Sequence, residues 1–174
     1  HLYQFKNHTG WVGFSHCAVF QNPTTKQWYY ASQARLPEGV AGINVSNAVM
    51  MGHIHGIQWT EDGWPVVEPE RYAGVPTTTI ADASLVGTWE QITMNYQYKT
   101  MQKSVTIYLT ADKKVSGDVT GVWSYDAVKK IATINGVKCN VVDAWDWESA
   151  TRKLTLSYTG INSAGLAVWG KKIN

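Results

Sequence analysis

Ala48-Val49-Met50-Met51-Gly52-His53-Ile54-His55-Gly56-Ile57-Gln58-Trp59-Thr60-Glu61-Asp62-Gly63-Trp64-Pro65-Val66-Val67 places two apolar runs on either side of a four-residue turn. Asp62-Gly63 supplies the positive φ that a tight hairpin requires, so the stretch predicts two antiparallel strands. Pro65 has no amide proton to donate and marks an edge position. Before this hairpin, Ser15-His16-Cys17-Ala18-Val19-Phe20 is short and apolar and runs into the turn Gln21-Asn22-Pro23-Thr24-Thr25. Lys26 to Arg35 has the aromatic, half-polar pattern of the next strand, and a loop with glycine and asparagine follows from Pro37 to Asn47. Four such strands in about 55 residues have the dimensions of one β-propeller blade. A lone blade buries its faces only against neighbours, and the chain holds no second copy of the pattern. The remaining blades are therefore expected on another polypeptide portion.

Beyond residue 80 the pattern changes. Val86–Ile92, Ser104–Leu109, Thr120–Tyr125, Lys130–Ile134, Val137–Val142, Lys153–Tyr158 and Leu166–Trp169 alternate with period two. Turns such as Ala111-Asp112-Lys113-Lys114, Asn135-Gly136 and Asn162-Ser163-Ala164-Gly165 separate them. Seven or eight short strands predict an antiparallel barrel or sandwich, and no stretch has a helical period. The fold class is all-β. Residues 1–75 form the blade, 76–81 a linker, and 82–174 the barrel.

Charge divides the chain at the same place. Residues 1–80 carry four basic and five acidic side chains, against eleven and eight in 81–174. A first unit so poor in charge is expected to be covered by something. The net charge of +2 is too weak for nucleic acid to be the main partner. No apolar run is long enough to span a membrane as a helix. Cys17 and Cys139 make neither a disulfide framework nor a metal cluster and read as small buried apolar groups.

Cleaving a glycosidic bond takes two carboxylates, one to protonate the leaving oxygen and one to activate water. Of Glu38, Glu61, Asp62, Glu68 and Glu70, only Glu68 and Glu70 share a strand face, and a solvated strand end is the plainer reading for them. His16 opens an apolar strand near one end of the blade, where a propeller places its central channel. His53 and His55 share a face at a spacing that suits a metal, yet they lack a third ligand and read as packing residues. Trp28 and Trp59 fall mid-strand and read as core, whereas Trp11 lies in a glycine-flanked loop beside His16 and is a candidate to stack on a ligand. Gln33 and Arg35 point the same way at a strand end, suited to binding hydroxyls or a carboxylate. Trp145-Asp146-Trp147-Glu148 stands out in the second unit.

Gly10–Phe20, Trp28–Pro37 and Trp59–Tyr72 together resemble the last blade of two-domain bacterial endo-1,5-α-L-arabinanases of glycoside hydrolase family 43. Gly87-Thr88-Trp89 and Val168-Trp169-Gly170-Lys171-Lys172 resemble the C-terminal β-barrel of those enzymes. The resemblance implies a five-bladed propeller and an inverting, secreted hydrolase of α-1,5-linked arabinan or arabino-oligosaccharides. It puts the three catalytic carboxylates on earlier blades, so that none lies in this chain and the N-terminal propeller portion is its partner. It also implies a channel cation, usually calcium, largely coordinated by water, with His16 matching the histidine beside it. A water-rich shell suits a hard cation that prefers oxygen. Trp11, Gln33 and Arg35 are the expected substrate-binding side chains. A non-catalytic carbohydrate-binding or docking module is the alternative. A lipocalin-like carrier is a third reading, resting on Gly87-Thr88-Trp89 alone and leaving residues 1–75 unexplained.

Overall fold

The structure, a computed structural model, describes residues 3–6, 8–39 and 49–173. Most of the expected Pro37–Asn47 loop and the strand start at Ala48 lie outside the described residues. Every regular element among the described residues is a strand, apart from one 3₁₀ turn at Asp82–Leu85. No helix there is long and apolar enough to cross a membrane.

After a two-residue strand, β1 (Tyr3–Gln4), four strands form an antiparallel sheet in sequential order: β2 (Val12–Gln21), β3 (Trp28–Arg35), β4 (Met51–Trp59) and β5 (Pro65–Arg71). The β4–β5 turn closes as its residue types predict. Gly63 takes φ 86° and its N–H donates to the Thr60 carbonyl at 3.0 Å, while the Trp64 N–H donates to Thr60 Oγ1 at 2.8 Å.

The second unit contains β6 (Gly87–Thr93), β7 (Gln102–Lys103), β8 (Val105–Leu109), β9 (Lys114–Gly117), β10 (Gly121–Asp126), β11 (Ile131–Ile134), β12 (Val137–Trp145), β13 (Leu154–Ile161) and β14 (Ala167–Lys172). All of these except β7 close into an antiparallel barrel ordered β10-β11-β12-β13-β14-β6-β8-β9. Besides the two-residue strands β1 and β7, the strand not anticipated is the barrel strand β9, which begins where the residues read as a turn. It is four residues long and buries only Val115, too little for a period-two signal.

The barrel interior is filled by Trp89, Ile107, Leu109, Val115, Trp123, Ile134, Val141 and Tyr158. Leu85, from the 3₁₀ turn, joins this core, and its carbonyl accepts the Trp89 indole N–H at 2.8 Å. Eight-stranded barrels have an interior just wide enough for side chains, and this one is used that way. Tyr158 fits because Gly170 lies directly opposite it and the phenol ring lies over the bare glycine backbone. Its hydroxyl donates to Gln91 Oε1 at 2.7 Å.

The sheet and the barrel are packed together. β5 lies along β13, and Thr159 Oγ1 donates to the Val67 carbonyl at 2.8 Å. The first residues belong to this junction: β1 pairs in parallel with β7, and the Lys6 N–H donates to the buried Glu90 carboxylate at 2.6 Å. Tyr3, Phe5, Trp11 and Ala34 pack with Ile92 and Met94 of the barrel in one apolar cluster. The stretch between the units is also fixed. Thr78 donates its N–H and its hydroxyl to Asp143 at 2.7 and 2.9 Å, and Ile80 is buried in the barrel core.

Gly170→Ala tests this packing. The new methyl group would fall within the Tyr158 ring, which is itself fully buried. We expect a loss of about 2 kcal/mol or more, the usual cost of overfilling a packed core, read from the urea unfolding midpoint.

Candidate functional site

The β2–β3 ladder pairs Val12 with Arg35, Ser15 with Gln33 and Ala18 with Ala31, with an irregularity in each interval. Extra residues of β2 are accommodated by Gly13 at φ 70° and His16 at φ 53°. For a residue with a Cβ the left-handed region costs roughly 1 kcal/mol, so His16 is held there by its surroundings. Its Nδ1 lies 3.1 Å from Ser15 Oγ and 2.6 Å from Gln33 Nε2, and Gln33 also donates to Ser15 Oγ at 3.2 Å. The ring itself is exposed. A bulge that re-aims one side chain and locks it with a neighbouring amide is a device common beside binding sites. Arg35 lies along Gly13, with Nε 3.5 Å from where a Cβ would stand. His16, Gln33 and Arg35 thus gather at one end of the sheet. No carboxylate among the described residues pairs with any of them.

Trp11 does not join this group. It is 4 % exposed and bridged to Tyr3, with His53 edge-on at 4.3 Å and the Arg71 guanidinium 5.4 Å from its ring centre. Cys17, read as buried, is exposed, because the outer strand β2 buries little beyond Val12; Cys139 is buried. Trp28 is half-buried, while Trp59, also read as core, is 46 % exposed at the strand end.

His53 and His55 are packing residues. Both are 1 % exposed, with their rings stacked at 5.7 Å. His55 Nδ1–H donates to the Glu68 carbonyl at 2.9 Å, which leaves Nε2 to accept from His53 Nδ1–H at 3.4 Å. Burial pushes His53 down to about 3, helped by His55 and Arg71, and burial pushes His55 down to about 4. His8 is likewise lowered to about 4 by burial and by Lys171.

Of the two carboxylates read as a solvated strand end, Glu70 is buried and Glu68 half-buried. Glu68 accepts from Gln58 Nε2 at 2.7 Å, and burial raises its carboxyl. Glu70 is 4 % exposed and enters a charged cluster between sheet and barrel. Lys171, fully buried, reaches Glu70 at 3.3 Å, Asp146 at 3.1 Å and the Phe5 ring at 4.8 Å. Arg71 pairs with Glu148 at 2.8 Å and lies between the Trp11 and Trp147 rings, while Trp147 Nε1 donates to the Arg71 carbonyl at 3.1 Å. Oxygens of Glu70, Asp146 and Glu148 lie within 4.8 Å of one another, and the cations among them are Lys171 and Arg71. Burial raises Glu70, against the pull of Lys171. Burial alone would lower Lys171, but Glu70 and Asp146 outweigh it and its ammonium stays above the ordinary lysine value. The only sequence signal for this cluster was the Trp145–Glu148 run, whose partners lie 70-odd and 20-odd positions away (about 75 and 25) and share no local pattern with it.

A family model described as a C-terminal lipocalin-like domain, GH43_C, matches residues 69–170. The chain belongs to this family. Among curated proteins it is similar to the extracellular endo-α-(1→5)-L-arabinanase 2 of Bacillus subtilis, 29 % identical over 167 residues, covering 94 % of this chain and 34 % of that protein. The extracellular endo-α-(1→5)-L-arabinanase of Thermotoga petrophila is 23 % identical with the same coverage of each. The chain therefore spans about a third of the length of these relatives. The crystal structure of a family 43 glycoside hydrolase, the YxiA protein of Bacillus licheniformis, superposes with a TM-score of 0.82 at 24 % identity, covering 99 % of this chain and 38 % of that one. The endo-1,5-α-L-arabinanase of Thermotoga petrophila in complex with Tris gives 0.83 at 21 % identity, covering 99 % and 39 %. These structures share the fold across the sheet as well as the barrel.

Two outcomes are expected of the charged junction and its histidines. Lys171→Met leaves Glu70 and Asp146 buried without their shared cation and should cost about 3–5 kcal/mol by urea unfolding. On acidification the unfolded chain protonates its histidines near pH 6.5 while folded His8, His53 and His55 stay neutral, so stability falls as pH drops from about 6.5 toward 4. Glu70 acts in the opposite sense: its contribution is present below the ordinary carboxylate value and is lost as pH rises toward its raised folded one. Unfolding midpoints measured across pH should peak between the two effects, and His53→Phe should flatten the acid limb.

Proposed function

We propose that this chain is the C-terminal part of a secreted glycoside hydrolase that cleaves α-1,5-linked arabinan with inversion. On this reading the four-stranded sheet is the last blade of a five-bladed propeller, residues 76–81 link it to the barrel, and the N-terminal portion of the enzyme supplies the catalytic carboxylates. The observation that carries the proposal is the sheet's uncovered β2 edge. β2 is ten residues long and half-buried or exposed after Val12, with Val19 57 % and Phe20 44 % exposed. Alternation puts Val19, with its register partners Tyr30 and His55, on one face and Phe20, with Tyr29, on the other. A long apolar edge open on both faces invites unwanted pairing unless a neighbour covers it, and further blades on both sides would do so. The named arabinanase relatives, of which this chain covers only a third, support the same assembly.

Calcium suits the His16 end in a limited sense. The only ring the bulge directs outward is one imidazole, and a hard cation prefers oxygen, so His16 would fill at most one position among waters and groups of the N-terminal portion. With Gln33 turned so that its carbonyl accepts Nδ1–H, the His16 Nε2 lone pair is available to the ion. Such an ion would supply fixed positive charge in the channel. The chain's own work there is to orient the ring through Ser15 and Gln33, and to offer Gln33 and Arg35 as donors to substrate hydroxyls.

Combining the chain with the N-terminal propeller portion should give arabinan hydrolysis that neither part shows alone. His16→Ala should lower it by roughly 10- to 100-fold, as loss of an ion-orienting group does, and a chelator should reduce the wild-type rate until calcium is restored. Full activity in the His16→Ala assembly would remove this residue from the mechanism.

A further inference from the structure

Opposite the His16 end, the β4–β5 turn leans over the barrel wall and forms an open groove of about 690 Å³, within the range of ligand sites. Its walls come from three turns, Thr60–Trp64, Asn135-Gly136 and Asn162–Gly165, together with residues of β11 and β12. Eight residues of β3 separate this end from Arg35, about 25 Å at the usual rise per strand residue, so the groove is remote from the end assigned to the channel.

The turn is tied to the barrel. Glu61 reaches from the turn to Lys129 at 2.7 Å and Lys138 at 2.5 Å, and Asn140 Nδ2 donates to the Trp59 carbonyl at 3.2 Å. Trp64 is fixed through its backbone by Thr60, yet its side chain is 63 % exposed and makes no hydrogen bond among the described residues. An exposed indole on a turn tied to the barrel, at the lip of a groove, is a flat apolar surface open to a ligand.

The polar lining points to a neutral ligand. Lys129 and Lys138 both pair with Glu61, and Asp62 balances the remaining positive charge at this end; the other polar contributors are hydroxyls and amides: Thr60, Asn140, Asn162 and Ser163. Asn162 Oδ1 is committed to the N–H groups of Ala164 and Leu166, whereas Ser163 and Asp62 have no side-chain partner among the described residues. An aromatic face beside hydroxyls, an amide and one carboxylate acceptor, in an open groove, matches the C–H faces and hydroxyl rims of a sugar chain.

We propose that this groove binds a neutral polysaccharide chain, with Trp64 as its stacking platform and Asp62, Ser163 and Asn162 as hydroxyl partners. That the polysaccharide is α-1,5-linked arabinan rests on the proposed function; the groove would hold polymer away from the point of cleavage.

Affinity electrophoresis of the 174-residue chain through gels containing linear arabinan tests the site. The wild-type chain should be retarded, and Trp64→Ala should weaken the interaction about tenfold, the order expected for losing one aromatic partner, with Trp64→Phe retaining part of it. Unchanged thermal unfolding of Trp64→Ala excludes a folding defect, because the side chain is exposed. No retardation of the wild-type chain, or equal retardation of Trp64→Ala, would overturn the groove. In the recombined enzyme Trp64→Ala should slow attack on polymer and leave turnover of short arabino-oligosaccharides unchanged. An active recombined enzyme whose C-terminal chain ignores arabinan would sink the groove alone, whereas an inactive one would count against the proposed function while binding still tests the groove.

Discussion

The fully buried ammonium of Lys171 between Glu70 and Asp146 governs how the two units meet. A charge so removed from water is tolerated only with its partners in place, and those partners come to β14 from β5 and the β12–β13 connection. Arg71, the residue after Glu70, repeats the arrangement with Glu148 and two tryptophans. Apolar packing of Tyr3, Phe5 and Trp11 surrounds the cluster and keeps solvent out. Moving the sheet relative to the barrel would strip each charge of its counterpart, so the cluster selects one docking geometry much more sharply than apolar contact would.

The opposite design appears at the His16 end. There the ladder is broken, two residues adopt positive φ, and His16 is exposed beside half-buried Gln33 and Arg35. Irregular backbone here is affordable because the strong contacts lie elsewhere, along β5. The molecule thus separates a tightly packed junction from an end with a broken ladder and an exposed imidazole.

The all-β class, the antiparallel barrel and the main strands were legible because each rests on local alternation and turn chemistry. His16, Gln33 and Arg35 could be placed at one sheet end for the same reason. Trp11 and Cys17 could not: their exposure is set by the docking of Tyr3, Phe5 and Trp11 onto the barrel and by the outer position of β2, and both are long-range facts. β9 escaped notice because one buried valine makes no pattern. Glu70 read as solvated because nothing near it in sequence announces Lys171, a hundred or so positions away (about 100).

The family description speaks of a lipocalin-like domain, yet Trp89, Trp123 and Tyr158 occupy the space where a lipocalin would carry its cargo. A solid barrel cannot acquire new specificity by reshaping a cavity, since each enlargement would cost core packing. Any recognition it evolves has to be written in its turns, where substitutions leave the interior untouched. Diversification among related chains should then concentrate at the barrel's rims and spare its staves.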